Sequence, residues 1–260
     1  MPTDAEFAAA DHKLFQFLPP KHRYSVGDYL TAATAAAKEI WAQNKIPIFV
    51  GGTGLYLKAL IDGLNKIPDV NSALETTLTT RAKTEGTAKL HHELMAVDAA
   101  TAARLKPQDT QRIIRALGIY LTTKIPLSIW QEKPREGALE ADILTVGLLP
   151  DRQKLHARIE ARQIQMFDMG VLSEVKALYD ANLTPDLPAL TGLGVADLYA
   201  YFTGEKTLSE AKENMLIATR QYAKRQCTWV KNSYNANILV ENPQDALPHI
   251  ANWVKNKAQT

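Results

Sequence analysis

The run from Ile46 to Gly63, "IPIFVGGTGLYLKALIDG", restricts the possible folds more than any other stretch. Ile46 to Val50 is a short apolar run and reads as a buried strand, with Pro47 tolerated only near its start, where no ladder bond is lost. Gly51, Gly52 and Gly54, with Thr53 between them, allow a tight turn and leave backbone N–H groups open to an anion. Leu55 to Ile61 then has helical spacing and stops at Gly63. An apolar strand that feeds directly into a helix belongs to a parallel sheet covered on both faces.

Other stretches repeat that unit. Leu14 to Leu18 is an apolar run stopped by Pro19 and Pro20, and predicts a strand. Ser25 with Asp28 forms a capping-box pattern ahead of a helix whose apolar face is Val26, Tyr29, Leu30, Ala33, Ala37, Ile40 and Trp41. Ile143 to Leu149 and Ile238 to Val240 are further expected strands. Helices are expected from Arg152 to Met169, with Leu155, Ile159, Met166 and Phe167 inward, and on to about Ala181. The loop "NLTPDLPALTGLG" leads to a short helix near Asp197. A long helix opens at Thr207 and Glu210 and runs to about Lys231, and an amphipathic helix closes the chain. Between Asn65 and Pro134 the pattern changes: Ser72–Thr84, Thr87–Val97 and Asp109–Thr123 read as helices and no strand stands out. The expected organisation is an α/β core of residues 1–64 and 141–260, interrupted by a helical insertion at 65–140.

A chain of 260 residues that is 46% hydrophobic can build a substantial core. Its formal charge of +2 does not argue for nucleic acid by itself, so any such footprint must be local. The lone Cys227 excludes an internal disulfide framework or a cysteine zinc cluster, and a reduced, cytoplasmic setting is the default. No apolar run is long enough to predict a membrane span, and the N-terminus lacks the pattern of a signal peptide.

Four places could carry chemistry. Gly51–Gly54 could hold an anion at the carboxyl edge of the sheet, with Thr53 supplying a hydroxyl; a ligand-free tight turn explains the same spacing equally well. In "ATRQYAKRQCTW", Arg220 and Lys224 share one helix face and Gln221 and Arg225 another. Like charges at that spacing favour an anion between them, and arginine suits forked phosphate contacts; a solvated basic face is the alternative. In "DTQRIIRAL", Gln111, Arg112 and Arg115 could touch RNA phosphates and base edges, although an exposed helix face is the simpler account. Arg158 and Arg162, four apart, are most simply a surface pair. The histidines are scattered, and the adjacent His91 and His92 point apart on a helix.

Taken in order, these stretches resemble the tRNA dimethylallyltransferase (tRNA isopentenyltransferase) family. "HRYSVGDY" resembles the family's "YSxxDF", "IPIFVGGTGLYLKALIDGL" its most recognisable block, and "DTQRIIRAL" its "DPQRxxRAL". "HARIEARQIQM" and "ATRQYAKRQCTWVK" match two more. The resemblance implies a P-loop NTPase-like parallel sheet flanked by helices, with a helical insertion that binds tRNA. It implies transfer of a dimethylallyl group from its diphosphate to N6 of the adenosine next to the anticodon, assisted by Mg²⁺, in a cytoplasmic monomer. By motif, Thr53 and Arg220 become catalytic candidates, and Arg220, Lys224 and Arg225 diphosphate contacts. Gln111, Arg112, Ile113, Ile114, Arg115, Arg158 and Arg162 become tRNA contacts. Metal ligands are not assigned.

The family's G-x-T-x-x-G-K-[ST] loop, and the strand ending in its presumed basic aspartate, have no counterpart here, because "MPTDAEF" resembles the stretch just beyond them. The first strands of the family core are therefore expected to be absent and activity impaired. Gln16 stands where the family usually has Asp. Glu75 lies in a region where a basic tRNA contact is expected, and "LGVAD" lacks the family's "GY[RK]". Two other readings remain open: a non-catalytic tRNA-binding relative, and a small-molecule phosphotransferase using Gly51–Gly54, against which the missing lysine counts.

Overall fold

The structure, a computed structural model, describes residues 4–183, 187 and 189–257. Part of the "NLTPDLPALTGLG" loop and the first residues of "MPTDAEF" thus lie outside the described residues. The chain divides into two compact units, Met1–Leu60 with Glu140–Thr260, and Ile61–Leu139.

In the first unit, α1 (Asp4–Ala9) precedes α2 (Val26–Trp41) and α3 (Gly54–Asp62), whose last residues lead out of the unit. The chain returns through β3 (Val146–Leu148), α9 (Arg152–Asp168), α10 (Val171–Asp180), α11 (Val195–Phe202), α12 (Leu208–Ser233), β4 (Ile238–Val240) and α13 (Pro243–Lys257). The second unit comprises β1 (Leu64–Asn65), α4 (Ser72–Thr84), α5 (Thr87–Val97), α6 (Ala99–Ala102), α7 (Thr110–Thr123), α8 (Leu127–Glu132) and β2 (Arg135–Glu136).

Local chemistry sets the helix starts. The Ser25 hydroxyl accepts from the Asp28 amide while the Asp28 carboxylate accepts from the Ser25 amide, a complete capping box. Those Ser25 hydrogen bonds hold the Asp28 carboxyl below its usual range. Thr207 and Glu210 repeat the arrangement at the head of α12. The α9–α12 region packs around Val175, Leu198, Ala211 and Met215, with Phe167, Leu172 and Phe202 against them. Only Ala211, Met215 and Ala223 of α12 are buried and none of α9, so both helices are less enclosed than their apolar residues predict.

The sheets are small. β3 and β4 pair in parallel, Val146 opposite Ile238 and Leu148 opposite Val240. Asn237 Oδ1 extends the pairing by accepting from both the amide and hydroxyl of Thr145, each at 2.8 Å. β1 and β2, which the sequence reading missed, pair antiparallel where the chain enters and leaves the second unit.

Two expected strands do not form. Between Leu14 and Leu18, Leu14 and Gln16 have φ of 60° and 48°, in the left-handed region where an extended strand cannot continue. The run from Ile46 to Val50 has no ladder partner among the described residues. Its alternating side chains are unequally covered: Pro47 and Phe49 are half-buried, while Ile46, Ile48 and Val50 are 59%, 82% and 87% exposed. A strand is stabilised by its neighbours, so the apolar pattern alone did not suffice.

The second unit has its own core. Leu78, Leu90, Leu94, Ala102, Ile113, Ala116 and Ile119 pack together, with Val70, Leu74 and Trp130 at its margin. Buried polar groups there are satisfied. His91 Nε2 lies 3.0 Å from the carbonyl of Ala102 and 3.1 Å from that of Leu105, which makes it a structural histidine. Arg81 joins Glu85 and Glu93, and its hydrogen bond holds the Glu85 carboxyl down at about 2.

Asp98 is 3% exposed and accepts from the amides of Thr101 and Ser128, each at 3.0 Å, tying α6 to α8. Burial pushes its carboxyl upward, but the hydrogen bonds from Ser128 and Thr101 outweigh it and leave the pKa below the ordinary 3.8. A carboxyl depressed on folding stabilises above its unfolded value, and that stabilisation is lost as the pH falls through the folded one. The helical unit should therefore weaken as the pH drops below about 4, in the range set by Asp98's ordinary value. Asp98→Asn should flatten that dependence and cost about 1–2 kcal/mol at neutral pH, read by urea titrations across pH.

Candidate functional site

The glycine loop is held by α12. Gln226 Nε2 donates to the Gly52 carbonyl oxygen at 3.0 Å, across 174 residues of sequence. The fit leaves no room for side chains: a Cβ on Gly52 would lie 2.0 Å from Gln226 Nε2, and one on Gly54 would lie 2.2–2.6 Å from the Trp229 ring. Close approach, rather than a special φ, thus favours glycine at Gly54 against the rigid Trp229 ring, whereas a side chain at Gly52 would displace the flexible end of Gln226 and cost its hydrogen bond. Thr53 is exposed, and its carbonyl accepts from the amides of Tyr56 and Leu57, so the loop residue begins the helix. Tyr56 stacks on Tyr29 at 4.6 Å, and its hydroxyl reaches the Tyr24 carbonyl at 3.5 Å. The "YSVGDY" and "GGTGLY" stretches therefore meet through their tyrosines.

On α12, Arg220 is ion-paired with Glu160 of α9, and its Nε is buried without an acceptor among the described residues. Lys224 and Arg225 are exposed, with Arg225 5.5 Å from the Tyr222 ring. Cys227, on the same stretch, is partly buried and free. Arg158 and Arg162 are exposed on α9, and the intervening Glu160 turns to Arg220 instead. The structure thus gathers Gly51–Gly54, Gln226 and Trp229 at one place and joins Arg220 to Glu160. Gln226, Trp229 and Glu160 were missed as partners because no local spacing links them to the loop or to Arg220.

In the helical unit, Gln111, Arg112 and Arg115 line a recess of about 330 Å³ together with Val70, Glu75 and Ile114. Arg112 lies 3.4 Å from Asp109, and Arg115 Nη2 reaches the Pro68 carbonyl at 3.5 Å. Ile113 needs correction as an expected RNA contact: it is 0% exposed and belongs to the core. Ile114, 7% exposed, offers only a floor to the recess. The α7 helix puts Gln111 and Arg115 on one side and its isoleucines toward the core, which follows from the 3.6-residue repeat.

The IPP transferase family model matches residues 1–233. The chain belongs to the IPP transferase family. It is 40% identical over 237 residues to the tRNA dimethylallyltransferase of Allorhizobium ampelinum, covering 90% of this chain and 77% of that protein. It is 40% identical over 230 residues to the enzyme of the same name from Geobacter sulfurreducens, covering 88% and 74%. Among solved structures, the tRNA isopentenylpyrophosphate transferase of Bacillus halodurans aligns over 99% of this chain and 82% of its own, with TM-score 0.66 and 29% identity. A eukaryotic dimethylallyltransferase acting on tRNA aligns over 94% and 63%, with TM-score 0.73 and 26% identity. This family member is therefore a helix-rich α/β transferase with small sheets. No helix among its described residues is long and apolar enough to cross a membrane.

Proposed function

We propose that this IPP transferase family member acts on tRNA in the cytoplasm, as a monomer. It transfers a dimethylallyl group from dimethylallyl diphosphate to N6 of the adenosine next to the anticodon. The observation that carries the reading is the glycine loop fastened to α12 by Gln226 and Gly52, in a chain matched by the family over residues 1–233. That fastening sets Thr53, exposed, on the same unit as the cationic face of α12.

In the proposed reaction the N6 amine attacks the allylic carbon. The carbon–oxygen bond to diphosphate breaks, and the nitrogen gives its proton to a base. Thr53 lies beside the transfer point. Arg220, Lys224 and Arg225 meet the charge that develops on the departing diphosphate, an electrostatic role worth most where water is excluded. Arg220 exchanges its Glu160 partner for a phosphate oxygen, and its unpaired Nε adds a second donor for a forked contact. The acceptor adenosine leaves its stack to reach this site. Gln111, Arg112 and Arg115, with the weaker candidates Arg158 and Arg162, hold the tRNA. Residues 65–140 thus form a tRNA-binding insertion in an α/β core of residues 1–64 and 141–260.

Mg²⁺ would neutralise charge on the diphosphate, and such ions are held largely by substrate phosphates. Among the described residues no three His, Cys, Asp or Glu side chains gather.

The same proposal includes the P-loop core. The row Ile46, Ile48 and Val50, exposed on one side of an extended stretch, supports a P-loop strand and helix as its cover in the working enzyme. A core lacking that cover would transfer poorly. The test is to read the DNA ahead of Met1 in frame and to assay prenyl transfer to tRNA with the encoded segment attached. A coding P-loop with transfer restored is the expected result. An unrelated sequence, with tRNA bound in a salt-dependent manner but never prenylated, would instead establish a non-catalytic tRNA-binding relative.

A further inference from the structure

The recess of the helical unit carries an unexpected charge. Its rim holds Arg112, Arg115 and Gln111 from the first turns of α7, and Glu75 from the first turn of α4. Glu75 is exposed, and among the described residues no hydrogen bond or ion pair engages its carboxylate. Arg112 is already flanked by Asp109. The floor is apolar, formed by Ile114 and the half-buried Val70.

A phosphate does not suit this recess. It would meet the Glu75 carboxylate at the rim and hydrocarbon beneath. A flat base suits it better. The ring lies on Val70 and Ile114, the carboxylate accepts from an exocyclic amine, and the arginines reach the phosphates on either side. Carboxylates read amino groups on base edges in this way, whereas uracil offers a carbonyl oxygen where cytosine has its amine, and repels them. This open recess of about 330 Å³ has room for one base lying flat.

We infer that this recess holds one unpaired, amino-bearing base of the tRNA loop other than the acceptor adenosine, and that Glu75 determines which base is accepted. This rests on the tRNA reading above. All six lining residues belong to Ile61–Leu139, whereas Thr53 and Arg220 belong to the other unit, so the recess contributes specificity rather than chemistry.

The experiment uses the full chain and anticodon stem-loop RNAs in which each loop position in turn is replaced by uridine, with affinity read by fluorescence anisotropy. One position besides the acceptor adenosine should cost about tenfold or more on replacement. In Glu75→Ala that penalty should shrink to about twofold or less, with the other positions unchanged. Glu75→Lys should bind every loop more tightly, lose the discrimination, and gain a salt dependence steeper by about one phosphate contact. Unchanged thermal unfolding in both variants excludes misfolding as the cause. The inference is overturned if no second position is sensitive, or if Glu75→Ala keeps the full penalty. If no loop RNA binds even at low salt, the tRNA reading falls with it, whereas indiscriminate binding removes only the role of Glu75.

Discussion

Ile113→Ala should destabilise the helical unit by about 2–5 kcal/mol, the range for removing a fully buried aliphatic side chain. Ile113 is 0% exposed and lies in the core with Leu78, Leu90, Leu94 and Ile119. In a unit of this size that corresponds to a fall in midpoint of roughly 8 °C or more. Gln111→Ala, two residues away but exposed, should change stability by no more than about 0.5 kcal/mol. The pair separates two roles that one motif mixes. RNA binding should fall in Gln111→Ala with folding intact, and in Ile113→Ala only to the extent that the unit unfolds. Thermal unfolding of each variant, beside RNA titration at a temperature where both remain folded, reads the difference. Equal stability of Ile113→Ala and the parent chain would contradict the packing described.

Gly54→Ala should disrupt the glycine loop, at a cost of about 1–3 kcal/mol for forcing an extra carbon into a packed contact. The added Cβ would fall 2.2–2.6 Å from the Trp229 ring, so the ring must turn away. Trp229 also packs on Tyr234, at 4.9 Å between ring centres, and that contact would be lost with it. The expected readout is a red-shifted tryptophan emission together with a lower unfolding midpoint. Gly51→Ala is the control: nothing lies within 4 Å of a Cβ there, so it should leave both unchanged. If Gly54→Ala behaves like Gly51→Ala, the close approach of α12 to the loop is wrong, and with it the geometry that places Thr53.

Several features were legible from residues alone because short-range bonds make them. Ser25 with Asp28 and Thr207 with Glu210 form their capping boxes within three residues, and α4, α5 and α7 begin and end within a residue or so of the positions their spacing predicts. The motif blocks identify the family for a related reason: each is a contiguous run whose residue types can be matched without knowing where it lies in space. Strands were less legible. Ile238–Val240 formed because β3 offers a partner, whereas Ile46–Val50, equally apolar, has none among the described residues.

Local residue order was enough for the boundaries of α4, α5, α7 and α9, the two capping boxes, the strand-poor character of the middle third and the family, whereas the short helices α1, α6 and α8 carry no such pattern. Packing in three dimensions is what seats the glycine loop on Gln226 and Trp229, pairs Glu160 with Arg220, buries Ile113 in the core and brings Glu75 to a recess with Gln111, Arg112 and Arg115. The physical reason is range. A helix turn closes its hydrogen bonds within four residues, so its pattern is written locally. An ion pair, a steric fit or a shared recess joins residues whose separation in sequence carries no trace of their distance in space.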